Sequence, residues 1–180
     1  MNAHPMYLTT LEIDALIRDV PDFPKPGILF KDITPLLSDP RGLSSLAHHL
    51  GEPWANAGIT VVAGVEARGF LLAPLVAAQL GVGMIPIRKP GKLPYESARQ
   101  EYALEYGTDA LEMHIDAVRP TDRVLVIDDV LATGGTAGAA IGLIEGVGAV
   151  VAGAAFVIEL TFLQGRTALA DVVVTSVICY

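Results

Sequence analysis

The chain is poor in cysteine, in aromatic residues and in positive charge. One cysteine in 180 residues, Cys179, excludes an internal disulfide and points to a reducing compartment, so a cytoplasmic location is expected. His4, His48, His49 and His114 show no zinc-ligand spacing with that cysteine. Twelve basic residues against twenty acidic ones leave a formal charge of −8, which weighs against nucleic acid or an anionic membrane as partner. Any anion site must therefore be local. The first residues, Met-Asn-Ala-His-Pro, lack a basic start and an apolar run, so no signal peptide is expected. Residues 70–87 are nearly all apolar, but Pro74, Gln79, Gly81, Gly83 and Pro86 interrupt them. They read as a buried helix followed by a buried strand rather than a membrane span. No internal repeat, linker or low-complexity segment is visible. Hydrophobic residues make up 52%, enough for one domain with one substantial core.

What is present centres on residues 124–136. Val124 to Ile127 is an apolar run with three β-branched residues, the pattern of a strand buried on both faces. Asp128 and Asp129 follow at its carboxyl end. Ala132, Thr133, Gly134, Gly135 and Thr136 then form a small-residue loop leading into a helical pattern, 137–145. Glycines let such a loop turn its N–H groups toward one point, threonine hydroxyls add donors, and a helix N-terminus favours an anion. The loop suits a phosphate monoester, and the carboxylates suit the hydroxyls of an attached sugar. No Lys follows the glycines as in a Walker loop, and no G-x-G-x-x-G is present.

Elsewhere the periodicity predicts a helix with Thr9 and Glu12 at capping-box spacing, running through Ile13, Leu16, Ile17 and Val20 until Pro21. A second helix starts at Ser38-Asp39-Pro40, with His48 and His49 as surface residues. A strand over 59–65 opens into Glu66-Ala67-Arg68-Gly69, and charged turns at such strand ends bind ligands in open α/β sheets. A helix-capping turn with Arg68 in a surface ion pair fits the same residues. Arg88, Lys89 and Lys92 cluster beside a Pro/Gly loop, either for a polyanion or as a solvated rim. Residues 100–106 and 111–115 alternate and read as a hairpin-like flap. Residues 21–32, with three prolines and a glycine, form a stiff path that is either a wall for a flat ligand or a rigid connection. Strands over 147–158 and 172–178 complete the chain.

Strand, Asp-Asp, two variable residues and Ala-Thr-Gly-Gly-Thr resemble the phosphoribosyl-diphosphate (PRPP) motif of type I phosphoribosyltransferases. The ordered set of proline-rich loop, Glu-Ala-Arg, Ile-Arg-Lys, Gly-Lys-Leu-Pro, Leu-Glu-Tyr-Gly, PRPP motif and Glu-Leu-Thr resembles the adenine phosphoribosyltransferases from about residue 21 to 178. Residues 95–100 match least.

The resemblance implies a single α/β domain over 1–180 with the type I fold: a central, mostly parallel sheet flanked by helices. A small hood would come from about 1–35 and a mobile flap from about 90–115. It implies transfer of the 5-phosphoribosyl group from PRPP to adenine, giving AMP and pyrophosphate in purine salvage. Carried over residue by residue, Asp128, Asp129 and Ala132 to Thr136 hold PRPP or the AMP phosphate. Glu66, Ala67, Arg68, Arg88, Lys89 and Lys92 hold pyrophosphate. Ile28, Leu29, Phe30, Lys31 and Leu160 hold adenine; a lone Leu160 would otherwise read as core. Glu105, with Tyr106 beside it and Arg68 assisting, is the catalytic group; by itself a Glu in an alternating strand faces solvent. Mg²⁺ is implied as cofactor, held mainly by PRPP and through water by Asp128 and Asp129. A homodimer is implied, with no nucleic acid and no membrane.

Two rival families share part of this pattern. An oxopurine enzyme usually offers a Lys to O6 after the 147–158 strand, where this chain has Glu159 and Thr161 and no Lys. A PRPP-sensing regulator needs a basic DNA-binding module, yet residues 1–60 hold four basic and seven acidic residues.

Overall fold

The computed structural model describes residues 6–104, 107–169 and 171–180. They fall into two compact units, Met1–His49 and Leu50–Tyr180.

In the first unit Thr9 caps α1 (Thr10–Asp14), and both bonds of the capping box with Glu12 are made. The helix ends six residues earlier than the spacing of Leu16, Ile17 and Val20 predicts. Arg18–Pro21 is instead strand β1, antiparallel to β2 (Leu29–Asp32). The register explains the difference. Arg18 lies opposite Asp32 and Asp19 opposite Lys31, and both pairs close as ion pairs, at 2.5 and 2.7 Å. Cross-strand pairing thus outweighs a weak helical periodicity. Helix α2 (Thr34–Ser38) follows, then α3 (Pro40–Gly51), which runs to the start of the second unit. The two histidines of α3 are more than surface residues. His48 stacks on Tyr7 with ring centroids 4.0 Å apart, and His49 Nε2 lies 2.7 Å from the Leu8 carbonyl oxygen.

The second unit is built on five parallel strands. Strand β3 (Val61–Val65) leads through helix α4 (Gly69–Leu80) to β4 (Gly83–Ile87). A separate antiparallel hairpin follows, β5 (Ser97–Leu104) with β6 (Gly107–His114). Then come β7 (Arg123–Leu131), helix α5 (Gly135–Gly146), β8 (Val150–Glu159) and β9 (Val174–Cys179). The sheet order is β4-β3-β7-β8-β9. Strands β3 and β7 are buried almost throughout, as their unbroken apolar runs require. Leu125, Ile127 and Phe156 are fully buried, each contributing roughly 1.5–3 kcal/mol over an exposed side chain. The apolar stretch 70–87 is the expected helix and strand, and among the described residues no helix is long and apolar enough to cross a membrane.

The order of strands decides where a ligand can bind. From β3 the chain winds outward to β4; from β7 it winds the other way, to β8 and β9. The switch point lies between β3 and β7, and open α/β sheets bind ligands beyond the carboxyl ends of the strands at that point.

Candidate active site

Two loops meet at this switch point, the one after β3 and the one after β7. A cleft there is lined by Glu66, Ala67, Arg68, Lys89, Asp128, Asp129, Val130, Ala132 and Thr136. Beside it the segment from Val130 to Ala137 encloses a smaller hollow of its own. Residues expected at the sugar and at the leaving group therefore share one space.

The acid pair is placed differently from the sequence expectation. Strand β7 does not stop at Ile127 but continues to Leu131, so Asp128 and Asp129 lie within it. Asp128, Val130 and Leu131 keep parallel partners in Phe156, Ile158 and Glu159 of β8, and this pairing prolongs the strand. The two carboxylates consequently sit on stiff backbone. Asp128 is buried, and its Oδ1 accepts the backbone N–H of Asp129 at 2.9 Å. Burial, and next the neighbouring Asp129 charge, push its carboxyl well above the usual range. Asp129 accepts a hydrogen bond from Arg68 Nε, so the loop after β3 and strand β7 are joined by an ion pair.

The loop at 132–136 depends on Gly134, whose φ of 87° is left-handed and which is the N-cap of α5 without any side-chain cap. Gly138 N–H donates to the Gly134 carbonyl at 2.8 Å. That is the first helical bond, so the N–H groups at the preceding helix start have no intrahelical acceptor. Such an end attracts an anion. Thr133 is exposed and Thr136 half-buried.

A support for this loop escaped the sequence reading. A Cβ at Gly134 would lie 2.6 Å from the Gly165 carbonyl oxygen and 2.8 Å from Ala168 Cβ. At Gly165 the space a Cβ would need is filled by the Ala132 carbonyl oxygen. The 3-10 turn Gly165–Leu169 therefore packs backbone to backbone against the loop. The turn is itself anchored by Arg166, which donates from Nε and a terminal nitrogen to both oxygens of Glu159, at 2.6 and 2.7 Å. Ser176 Oγ donates to the same carboxylate at 2.7 Å. The Arg166 guanidinium holds the buried Glu159 carboxyl below its ordinary value. The sequence reads as a short helix starting at Gly165-Arg166, and nothing in it points to this packing against the loop.

Across the cleft the Glu66–Ala67 peptide is cis. Glu66 organises the end of β4: its carboxylate accepts Arg88 Nε at 3.2 Å and the Lys89 backbone N–H at 3.0 Å. The Lys89 N–H bond, and after it the Arg88 guanidinium, hold its carboxyl below the usual range against the opposing effect of burial. Arg88 also donates to the Lys92 carbonyl oxygen (3.2 Å) and its guanidinium lies 5.7 Å from the Phe70 ring centroid. The Lys89 ammonium bonds to Asp109 and Tyr102 of the hairpin.

The remaining expected residues fall elsewhere. Leu160 is half-buried, and its N–H donates to the Leu131 carbonyl at 2.9 Å. In the first unit Phe30 meets Phe23 edge to face at 5.1 Å. Leu29 is exposed and Lys31 pairs with Asp19. The Ile28 N–H and carbonyl, expected to face a base, bond within the loop to Lys25 and Phe23, each at 3.3 Å. Glu105 and Tyr106 lie outside the described residues.

Comparison with known proteins agrees with this geometry. Residues 37–174 match the phosphoribosyl transferase domain family. The adenine phosphoribosyltransferase of Nitrosococcus oceani is 57% identical over 164 residues, spanning 91% of this chain and 96% of that protein. The structure of the Thermoanaerobacter pseudethanolicus adenine phosphoribosyltransferase superposes with a TM-score of 0.93 at 48% identity, over 96% and 100% of the two chains. That of the Saccharomyces cerevisiae enzyme, complexed with an imino-altritol bisphosphate and adenine, gives 0.88 at 38% identity, over 93% and 97%. With most of its length matched at this identity and its glycine loop at the switch point of a parallel sheet, the chain belongs to the adenine phosphoribosyltransferase family.

Proposed function

We propose that the chain transfers the 5-phosphoribosyl group from PRPP to adenine, giving AMP and pyrophosphate in purine salvage. The observation that carries this is the meeting of the phosphate loop, the acid pair and the Glu66–Arg68 turn in one cleft. The relatives named above, one of them complexed with adenine, support the choice of base.

Adenine N9 attacks C1′ of the ribose as pyrophosphate departs, with positive charge developing at the anomeric carbon. The loop from Ala132 to Thr136 grips the 5′-phosphate, while Asp128 and Asp129 hold the ribose hydroxyls. Fixing both reactants in line removes much of the entropic barrier. Arg68, Arg88, Lys89 and Lys92 neutralise the leaving group, with Glu66 and Ala67 shaping its seat; some of these cations reach in from the second subunit of a homodimer. Adenine recognition falls to Ile28, Leu29, Phe30 and Lys31, and Leu160 covers one face of the base. Glu105, beside Tyr106, manages the proton on the purine imidazole ring.

Among the described residues no three carboxylate, imidazole or thiol groups cluster as a metal cage. Mg²⁺ needs none, since it keeps waters and combines one or two carboxylates with phosphate oxygens. The oxygen donors of Asp128 and Asp129 beside a phosphate loop fit that mode. Bound there, the ion would supply charge neutralisation at the pyrophosphate oxygens.

The test is AMP formation from PRPP with adenine or hypoxanthine, with Mg²⁺ or EDTA present. Turnover of adenine alone, abolished by EDTA, is expected. Equal use of hypoxanthine would refute the base assignment, and turnover in EDTA the metal. Light scattering checks the homodimer. The lone cysteine supports a cytoplasmic location, which cell fractionation tests.

A further inference from the structure

Lys89 is anchored at one end by the cleft and at the other by the hairpin. Its backbone N–H is fixed on Glu66 at 3.0 Å, among the residues that line the cleft. Its ammonium, however, turns to β5 and β6. There it donates to the Asp109 carboxylate and to the Tyr102 hydroxyl, the latter at 2.9 Å, and lies 5.5 Å from the Tyr102 ring centroid. Tyr102 and Asp109 are direct cross-strand partners. The tyrosine hydroxyl donates to Asp109 Oδ2 at 3.2 Å, and the Ala110 N–H holds Oδ1 at 2.8 Å. Two donors other than the lysine thus orient the carboxylate, which makes the pair a built receptor for an ammonium group.

The hairpin does not need this contact to stay where it is. Arg88 and Glu112 exchange two backbone bonds, at 2.8 and 2.7 Å, and the Gly91 N–H donates to the Glu112 side chain at 2.9 Å. Lys89 can leave Asp109 while that bridge remains. The pair is also cheap to break, with side chains 36% and 31% exposed.

We propose that Asp109, assisted by Tyr102, is a positioning residue that holds the Lys89 ammonium on the hairpin between turnovers and yields it to pyrophosphate oxygens. This rests on Lys89 being a ligand of the leaving group. Binding the polyanion is then an exchange of one carboxylate for a more highly charged phosphate, so Asp109 weakens pyrophosphate binding and hastens its release. Simple damage to the site would have the opposite sign.

Isothermal titration of the full-length protein with pyrophosphate at saturating Mg²⁺ tests this. Asp109→Asn should bind pyrophosphate about two- to five-fold more tightly, the range for losing a partly exposed ion pair. Its product-inhibition constant should fall in parallel. Tyr102→Phe should act in the same direction but less, and reads the same release if the Asp109 variant fails to fold. In a Lys89→Ala background the Asp109 change should have no effect. Unchanged or weaker binding by Asp109→Asn overturns the proposal, as does equal tightening in the Lys89→Ala background, which would mark general repulsion. Pyrophosphate affinity unaltered by Lys89→Ala alone instead removes the lysine from the leaving-group site.

Discussion

Arg68 and Asp129 join the two halves of the cleft: the arginine in the loop after β3 donates from Nε to the aspartate within β7. Each is expected to hold a different part of PRPP, the leaving group and the ribose. Charge-assisted bonds are worth roughly 1.5–3 kcal/mol, so Asp129→Asn should raise the PRPP KM about 10- to 100-fold. Steady-state kinetics with varied PRPP measures it. A lower KM would mean that Asp129 serves only to occupy Arg68.

Gly165→Ala should damage PRPP binding from behind the loop. The added methyl meets the Ala132 carbonyl, and overpacking costs about 1–3 kcal/mol. The PRPP KM should rise about five-fold or more while helix content by circular dichroism stays constant. An unchanged KM would show that the loop relaxes freely.

Glu159 predicts an acid limb of stability. Its folded pKa lies below the ordinary 4.5, chiefly through Arg166, so its charged form favours the folded state. That contribution is complete above about pH 5 and lost as pH falls through the depressed folded value. Glu159→Gln should cost about 1–2 kcal/mol at pH 7, discounted because Arg166 is half-exposed. Urea unfolding should show the gap to wild type constant from pH 7 to 5 and closing below pH 4. A gap independent of pH would assign it to packing.

Glu105→Gln should lower kcat about 10²- to 10⁴-fold with little change in the PRPP KM. Undiminished turnover would take Glu105 out of acid–base work.

Much of the second unit was readable from pattern. The strands expected over 59–65 and from 124 are buried parallel strands, the first beginning at Val61, because burial on both faces demands such apolar runs. Alternation at 100–104 and 111–114 becomes the hairpin. The first unit was less legible: Leu16, Ile17 and Val20 fit a helix, and the cross-strand pairs of Arg18 with Asp32 and Asp19 with Lys31 decide for a strand. Likewise nothing local to Asp128 reveals that β8 carries the strand past it to Leu131.

By itself the sequence determined the glycine turn after β7 and the parallel architecture, because turn chemistry and hydrophobic period act over neighbouring residues. Tertiary structure alone decided which groups face each other across distance. Arg68 meets Asp129 over 61 positions, Lys89 meets Asp109 over 20, and Gly165 backs Ala132 and Gly134 of a loop far earlier in the chain. Charge and sterics fall off with separation in space, and separation along the chain says nothing of that until the sheet has formed.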